Sequence, residues 1–511
     1  MPLKSCTTLR LSPRRRARRA ASLIWTVALL AGCAVGPNFK QPDAPQVNGY
    51  TPDPLPATTG SAAVSGGEPQ QFLNGADLPG DWWELFHSKP LTSLIERSLS
   101  NNPSIKAAQA ALTVARETVR TQNGAFFPGL TGNISAARQK TASVVSPTPN
   151  SGVLYFNLYT PQVNVSYAAD VFGLNRRTVE FLKAQEEQTR FALLATHITL
   201  SANVAAAAIQ EAALRGQIDA TRQLLALNTN LLQMLRTQFA KGYVGRLDLA
   251  AQESQMAQVA ATLPPLLKQL AQQRDLLAAL AGAWPSRDLP EHFELADFQL
   301  PRELPLSLPS QLVAQRPDVC QAEENLRSAN AQIGIAVANR LPNLTLSADA
   351  GSMALAAGQI FAGGTGFWTL AGGVTQPIFQ GGALLHKERA ARAACRQAAE
   401  QYRSTVLAAF QNVADTLTAL DQDAAALVAA ALVAAAAARD AAKVTLDLAA
   451  RQWQSGYANY QAWLNAELAY QQAVISLVQA QANRYADTVA LFQALGGGWW
   501  HRADLATSRR P

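Results

Sequence analysis

FGLNRRTVEFLKAQEEQTRFALLATHITLSANVAAAAIQEAALRGQIDATRQLLALNTNLLQMLRTQFA, the stretch from Phe172 to Ala240, holds no proline and reads as one unbroken helix. At ~1.5 Å per residue such a helix is on the order of 100 Å long, against the three or four turns usual in a globular domain. A rod of that length needs neighbours along all of it. From Arg176 and Gln185 onward it is rich in Ala, Gln and Leu, with a seam of larger apolar residues at Leu193, Val204, Ile209, Leu214, Ile218, Leu225 and Leu235. That pattern belongs to a helix packed on other helices, in a coiled-coil stalk or in the wall of a larger bundle.

A near-twin follows Gly381-Gly382 and runs from Ala383 to about Gln454. Its uncharged run Ala424–Ala438 is shorter than the ~20 apolar residues of a membrane span, and its small side chains suit close helix contacts instead. Each long helix ends at a glycine reversal, Lys241-Gly242-Tyr243-Val244-Gly245 and Ser455-Gly456-Tyr457. A half-length return helix, Leu247–Leu280, is expected to break at Pro264-Pro265. Another half-length region, Pro90–Gln122, breaks near Asn101-Asn102-Pro103, and the two halves stacked end to end would match one long helix.

Two segments have a period of two. Leu130–Ala137 is a short alternation, and Thr160–Tyr167 sets Val163, Val165 and Tyr167 against Gln162, Asn164 and Ser166, with a loop over Lys140–Ser151. The second half repeats the plan. Asn102-Pro103 answers Arg316-Pro317, Phe127-Pro128 answers Leu341-Pro342, and Gly242-Tyr243 answers Gly456-Tyr457, all 214 positions apart; Ala279–Gly282 answers Ala494–Gly497 at 215. Four separated landmarks in register mark an internal duplication. Its second strand pair is Leu344, Leu346 and Ala348 alternating with Thr345, Ser347 and Asp349, joined through a Gly-rich loop to Phe367–Phe379.

The chain therefore divides into residues 1–32, a signal; 33–80, extended and without a core of its own; 81–284, the first repeat; 285–309, a proline-studded linker; 310–498, the second repeat; and 499–511, a disordered tail. The signal carries Lys4, Arg10, Arg14, Arg15, Arg16, Arg18 and Arg19 ahead of an apolar Ala20–Leu30. Removing those seven cations leaves 36 basic residues against 36 acidic ones, so the basic balance supports no nucleic-acid partner. His87, His197, His292, His386 and His501 are scattered, no nucleophile motif or phosphate loop is present, and Cys320 and Cys395 lack metal-ligand spacing, so no enzyme is expected.

Strands of ~9–11 residues can cross a bilayer, but only in a closed barrel, and single-chain barrels have at least ~8 strands. Four strands per chain cannot close. Several copies must share one wall, and because a barrel of about eight strands is filled by its own side chains, a transport role favours three copies or more.

The signal ends in Leu30-Ala31-Gly32-Cys33, which resembles a bacterial lipobox. With Cys33-Ala-Val-Gly-Pro-Asn-Phe, Trp82-Trp83-Glu-Leu-Phe, Arg316-Pro317-Asp318-Val319, Asn330-Ala331-Gln332-Ile333-Gly334, Gln376-Pro377-Ile378-Phe379 and Ala494-Leu495-Gly496-Gly497-Gly498-Trp499, the chain resembles TolC-like outer-membrane efflux proteins of the NodT-type lipoprotein subfamily. The resemblance implies an α+β membrane protein, internally duplicated, whose four strands per chain join a trimeric 12-stranded β-barrel continued by a 12-helix α-barrel. It implies a homotrimer in outer-membrane lipid, working with a periplasmic adaptor and an inner-membrane pump as the passive exit duct for small molecules. No cofactor is implied beyond diacylglycerol and fatty acyl groups on Cys33. Ducts for type I polypeptide secretion, and periplasmic adaptors or coiled-coil stalk lipoproteins, are the alternative readings.

By the same resemblance the reversals form a periplasmic tip where the adaptor docks, here Gly242, Tyr243, Val244, Gly245, Gly456 and Tyr457. A narrowing gate just past it takes Asp248 as a carboxylate ring. In the second half Gln461, Ala462 and Asn465 stand where the family commonly has apolar and acidic residues, which implies closure through Gln461 and Asn465 with Tyr460 or Trp463 as bulk. The alternative is that all of these residues only cap and pack the return helix.

Overall fold

A computed structural model describes residues 34–140 apart from Asn48, 155–447 and 460–502. Within them the chain runs β1 (Gln71–Asn74), α1 (Lys89–Asn101), α2 (Pro103–Gly124), β2 (Gly129–Lys140), β3 (Tyr155–Ala169), α3 (Leu174–Ala240), α4 (Arg246–Leu280), β4 (Glu303–Leu306), α5 (Pro309–Gln315), α6 (Pro317–Ala338), β5 (Asn343–Ser352), β6 (Gly366–Thr375), α7 (Ala383–Asp447) and α8 (Tyr460–Ala494). The order helix, strand pair, long helix, return helix occurs twice, as the duplication requires. The signal, Cys33, residues 141–154, which hold most of the expected loop Lys140–Ser151, the expected second reversal with Gly456 and Tyr457, and residues 503–511 lie outside the described residues.

The chain forms two compact units, and each draws on both repeats. The first unit comprises the described residues up to Gln41, Thr113–Gln188 and Glu323–Gln401. At its centre is a four-stranded antiparallel sheet in the order β2-β3-β5-β6, so that β2 and β6 are its edges within one chain. The strand β3 passes into α3 through a capping device. Asp170 accepts the Asn175 amide at 2.9 Å and the Arg176 amide at 3.0 Å, supplying acceptors to donors that the first turn leaves orphaned. The helix accordingly starts at Leu174, two residues past the expected Phe172. Gly173, at φ +79°, makes the turn where a Cβ would come within 2.7 Å of the Ala34 Cα.

The second unit comprises Pro42–Leu112, Thr189–Ala322 and the described residues from Tyr402 onward. Its core is aromatic: Trp82 packs on Trp83, Phe86 and Phe492, and Tyr485 on Phe86 and Phe298, with centroids 5.6–6.5 Å apart. Apolar residues of α3, among them Val204, Ala208 and Ile209, complete it.

Three expectations are corrected here. The helix α4 runs unbroken through Pro264 and Pro265. Each proline removes one N–H from the ladder, a loss of ~3 kcal/mol in a free helix, but α4 is fastened to α3 on both sides of the pair. Gln252 Nε2 donates to Asn228 Oδ1 at 2.8 Å before it, and Gln273 Nε2 donates to the Ala207 carbonyl at 2.9 Å after it. The stretch 33–80 lies against the body without a core of its own, as expected: β1 pairs in parallel with β4, and Leu78 is buried in the core of the second unit. The linker 285–309, expected to be irregular, contributes to that core through β4, Phe293, Phe298 and Leu304. Trp499 is ordered rather than part of a loose tail: it packs on Phe191 and donates its indole N–H to the Gln315 carbonyl at 2.7 Å. In each case a segment too short or too proline-rich to show a period is held by partners distant in sequence.

The duplication is visible in atomic contacts of the second unit. Asn102 Nδ2 donates to the Leu280 carbonyl at 2.9 Å, and Arg316 Nη1 donates to the Ala494 carbonyl at 2.9 Å. Gly282 and Gly496, at φ +70° and +95°, each lie so close to a backbone carbonyl, Asn101 and Gln315, that a Cβ would meet it at 2.9 and 2.8 Å. Every one of these pairs is offset by 214.

Candidate functional site

The register of the sheet sorts its side chains by polarity. Leu130 stands opposite Val165, Gly132 opposite Val163, Ile134 opposite Pro161 and Ala136 opposite Tyr159. The face continues with Val165 opposite Ala348, Tyr167 opposite Leu346, and then Ala350 opposite Trp368, Ala348 opposite Leu370 and Leu344 opposite Val374. The other face carries Thr131, Asn133, Ser135, Thr160, Gln162, Asn164, Ser166, Thr345, Ser347, Asp349 and Thr369. Asn164 Nδ2 donates to Asp349 there. An apolar face this large, with Leu130, Ile134, Trp368, Leu370 and Val374 more than two-thirds exposed, is unfavourable in water and suited to lipid. The polar face suits a water-filled lumen.

The strands extend past the expected Leu130–Ala137 and Thr160–Tyr167, because Arg138, Gln139 and Lys140 pair with Asn157, Phe156 and Tyr155. Polar ends hide the period of two without ending the ladder. The strand ends at Gly129, Ala169, Asn343 and Thr375 join helices, and the opposite ends of β5 and β6 are joined through residues 353–365.

At the first reversal Lys241, Gly242 and Tyr243 close the end of α3 by donating their amides to Gln238, Phe239 and Gln238 carbonyls at 3.0 Å. Gly242 has φ +78°, and a Cβ there would meet nothing within 4 Å. Tyr243 is 75% exposed and Leu247 82%, while Val244 is half-buried. Gly245 is extended and caps α4, and the Asp248 carboxylate accepts its amide at 3.2 Å. Asp248 thus has a capping contact at the helix start, where a negative charge is also favoured by the dipole. Of the second reversal's residues, Tyr460, Gln461 and Asn465 lie in the first turns of α8.

Sequence reasoning missed the polar bridge behind the tip. Asn228 and Gln252, both fully buried, join α3 to α4 side chain to side chain, and Arg236 and Glu253 pair at 3.0 Å nearer the reversal. The only signal for the pair is an amide in place of a leucine on each seam.

Sequence reasoning also missed the clamp on the segment that follows Cys33. Arg177, 4% exposed in its side chain, donates to the carbonyls of Val35 at 2.9 Å and Gly36 at 3.2 Å, to Asn38 Oδ1 at 2.8 Å, and to Glu180 at 2.6 Å. It crosses Gly334, where a Cβ would fall 2.8 Å from its Cδ, and Asn330 Nδ2 holds the Pro37 carbonyl at 3.0 Å. The Val-Gly-Pro-Asn and Asn-Ala-Gln-Ile-Gly motifs are therefore two sides of one fastening. Neither Cys320 nor Cys395 is in a disulfide.

Comparison with known proteins agrees with this architecture. The family described as outer membrane efflux protein matches residues 94–283 and 308–497, one match per repeat. The toluene efflux pump outer membrane protein TtgC of Pseudomonas putida is 29% identical, over 96% of this chain and 97% of its own length. The toluene efflux pump outer membrane protein TtgF of the same species is 30% identical, over 94% and 96%. The open-state MtrE outer membrane channel of Neisseria gonorrhoeae superimposes with a TM-score of 0.77 at 25% identity, covering 91% of this chain and 98% of that one. These matches set aside the adaptor and stalk readings. A duplicated chain with a two-faced sheet, long helical hairpins and a family match across both repeats belongs to the outer membrane efflux proteins, transport channels of the outer membrane that extend into the periplasm.

Proposed function

We propose that three copies of this chain assemble into a passive exit duct for small molecules, docked through a periplasmic adaptor to an inner-membrane pump that supplies the energy. The observation that carries this reading is the sheet: four strands with one apolar face, one polar face and two unpaired edges. Pairing β6 of one copy with β2 of the next satisfies those edges and closes twelve strands around a polar lumen. Exposed apolar residues along α7, Leu407, Leu432 and Val433, fit the same assembly, in which a neighbouring copy covers them. The names of the toluene pump relatives support small apolar molecules as cargo. The protein contributes passage and performs no chemistry of its own.

In this reading residues 1–32 are removed and Cys33 carries the acyl anchor. The tip residues Gly242, Tyr243, Val244, Gly245, Gly456 and Tyr457 meet the adaptor, to which Tyr243 and Leu247 offer exposed apolar surface. Asp248, Tyr460, Gln461 and Asn465 narrow the duct just above. Three Asp248 carboxylates brought together repel one another when the duct is closed and attract cations. Asp248→Ala and Asn465→Ala are each expected to raise single-channel conductance in planar bilayers. Unchanged conductance in both removes these residues from the gate and leaves Asp248 its capping contact alone.

A further inference from the structure

The sequence of β2, β3 and the residues between them, 129–169, contains two charged side chains and no carboxylate: Arg138 and Lys140. Both are exposed and both fall on the apolar face, because they continue the series Leu130, Gly132, Ile134, Ala136 along β2. On β3, Tyr155 stands opposite Lys140 and Tyr159 opposite Ala136, on that same face. The Lys140 ammonium lies 5.3 Å from the centre of the Tyr155 ring. In the other two strands of this sheet, the charged residue is Asp349, which lies on the polar face.

A cation on the lipid side of a barrel costs ~2–4 kcal/mol at the bilayer midplane and ~0–1 kcal/mol near the interface. At ~3.3 Å per residue, Lys140 lies about 33 Å along β2 from Leu130, roughly 25 Å in height for a strand tilted by ~40°. The apolar band of such barrels is about 25 Å tall. Lys140 therefore reaches its rim, and Arg138, two residues below and ~6.6 Å away along the strand, reaches it by extending its guanidinium upward. This is the end of the sheet remote from the helices, which in an outer-membrane channel extending into the periplasm is the end at the outer leaflet. Tyr155, 60% exposed, and Trp368, 78% exposed on the outward end of β6, supply the amphipathic rings of an interfacial belt.

We propose that Arg138 and Lys140, with Tyr155 and Tyr159 beside them, form a binding site for the phosphate groups of a phosphorylated glycolipid in the outer leaflet. Arg138 contributes a planar fork that matches two phosphate oxygens, and Lys140 a mobile point charge that reaches a second phosphate or the same one. The rings stand where the headgroup meets the acyl chains. Without a carboxylate on this hairpin, an anionic headgroup is the available counter-charge, and the low dielectric at the rim strengthens that pairing relative to water. The site depends on placement in the outer membrane and on neither the cargo nor the gate.

The test uses the full-length acylated protein in nanodiscs of phosphatidylethanolamine doped with diphosphoryl lipid A, with retained lipid counted by native mass spectrometry. The wild type should retain diphosphoryl lipid A, fail to retain its dephosphorylated form, and keep the lipid in the presence of millimolar inorganic phosphate. Arg138→Gln/Lys140→Gln should retain at least about ten-fold less, Arg138→Lys/Lys140→Arg should restore most of the retention, and Lys106→Gln, on an exposed part of α2, should match the wild type. Equal retention by the double Gln variant, or retention of the dephosphorylated lipid, overturns the proposal. Displacement by inorganic phosphate also overturns it, by showing a general anion site. If the double variant does not insert, Lys140→Gln alone and the competition with phosphate still decide. Single-channel conductance should be unchanged in the Gln variants, which separates this site from the transport reading.

Discussion

Arg484 is fully buried, and its guanidinium is satisfied by distant partners: it donates to the Leu420 carbonyl at 3.0 Å, to Thr59 Oγ1 at 2.7 Å and to the Glu68 carbonyl at 3.3 Å. It ties the N-terminal segment to α7 and α8 within the second unit. Burial pushes its pKa down, while Asp487, Glu68, Asp423 and Asp421 push it up. Asp487 shows the reciprocal effect. Burial first, then a hydrogen bond and charge repulsion with Asp423, raise its carboxyl to about 7 from an ordinary 3.8, against the lowering by Arg484. An acid whose folded pKa is raised binds its proton more tightly in the native state. Its contribution to stability is full below about pH 4 and is lost as pH rises through about 7. Thermal unfolding of the wild type should therefore fall by several degrees between pH 5 and pH 8 relative to Asp487→Asn, whose profile should be flatter; parallel profiles would remove Asp487 from this role. None of this was legible in the sequence, where Arg484 and Asp487 read as ordinary polar positions of a long helix. Their burial depends on residues 59–68, a stretch without any period.

The elements themselves were largely legible, because periodicity survives in long pieces. The 67 residues of α3 appeared within two residues of their limits, and one strand of each pair, Thr160–Tyr167 and Leu344–Asp349, appeared with its faces assigned. What failed were elements whose stability comes from a remote partner. The strands β1 and β4 are four residues each, one of them Glu-Leu-Pro-Leu, and they pair across more than 200 positions. The helix α4 persists through two prolines because α3 holds it. The repeat landmarks, chosen from sequence alone, differ in how tightly the backbone is constrained, close at Gly282 and open at Gly242, and this gives a graded prediction. Gly282→Ala and Gly496→Ala place a Cβ in the left-handed region and within 3 Å of a backbone carbonyl, and each should cost ~1–3 kcal/mol. Gly242→Ala at the open tip meets nothing and should cost only the ~1 kcal/mol of the left-handed region. Denaturant melts of the three variants should rank in that order, with 282 and 496 alike; a larger loss at 242 would contradict the ranking, and unequal losses at 282 and 496 would contradict equivalent packing of the two repeats.

At the scale of the molecule, the chain's most informative property is a deficit. It has four strands with lipid-suited and lumen-suited faces and both edges unpaired, and no single copy can satisfy that arrangement in a bilayer. Sequence reasoning reached this because strand number and alternation are countable. It could not reach the chemistry of the first reversal to the same degree, because the contact of Asp248 with the Gly245 amide is set by the turn, and the gate proposed for Asp248, Tyr460, Gln461 and Asn465 requires the proposed assembly. What the sequence made legible there was the place of the first reversal, Gly242 to Gly245, and not the function of its residues. The most direct test is the protein mass of the detergent-extracted particle, measured by native mass spectrometry on the acylated chain. Three copies per particle is the result expected from twelve strands closing one lumen, whereas a stable monomer or dimer, with too few strands to enclose a water-filled duct, would contradict the account.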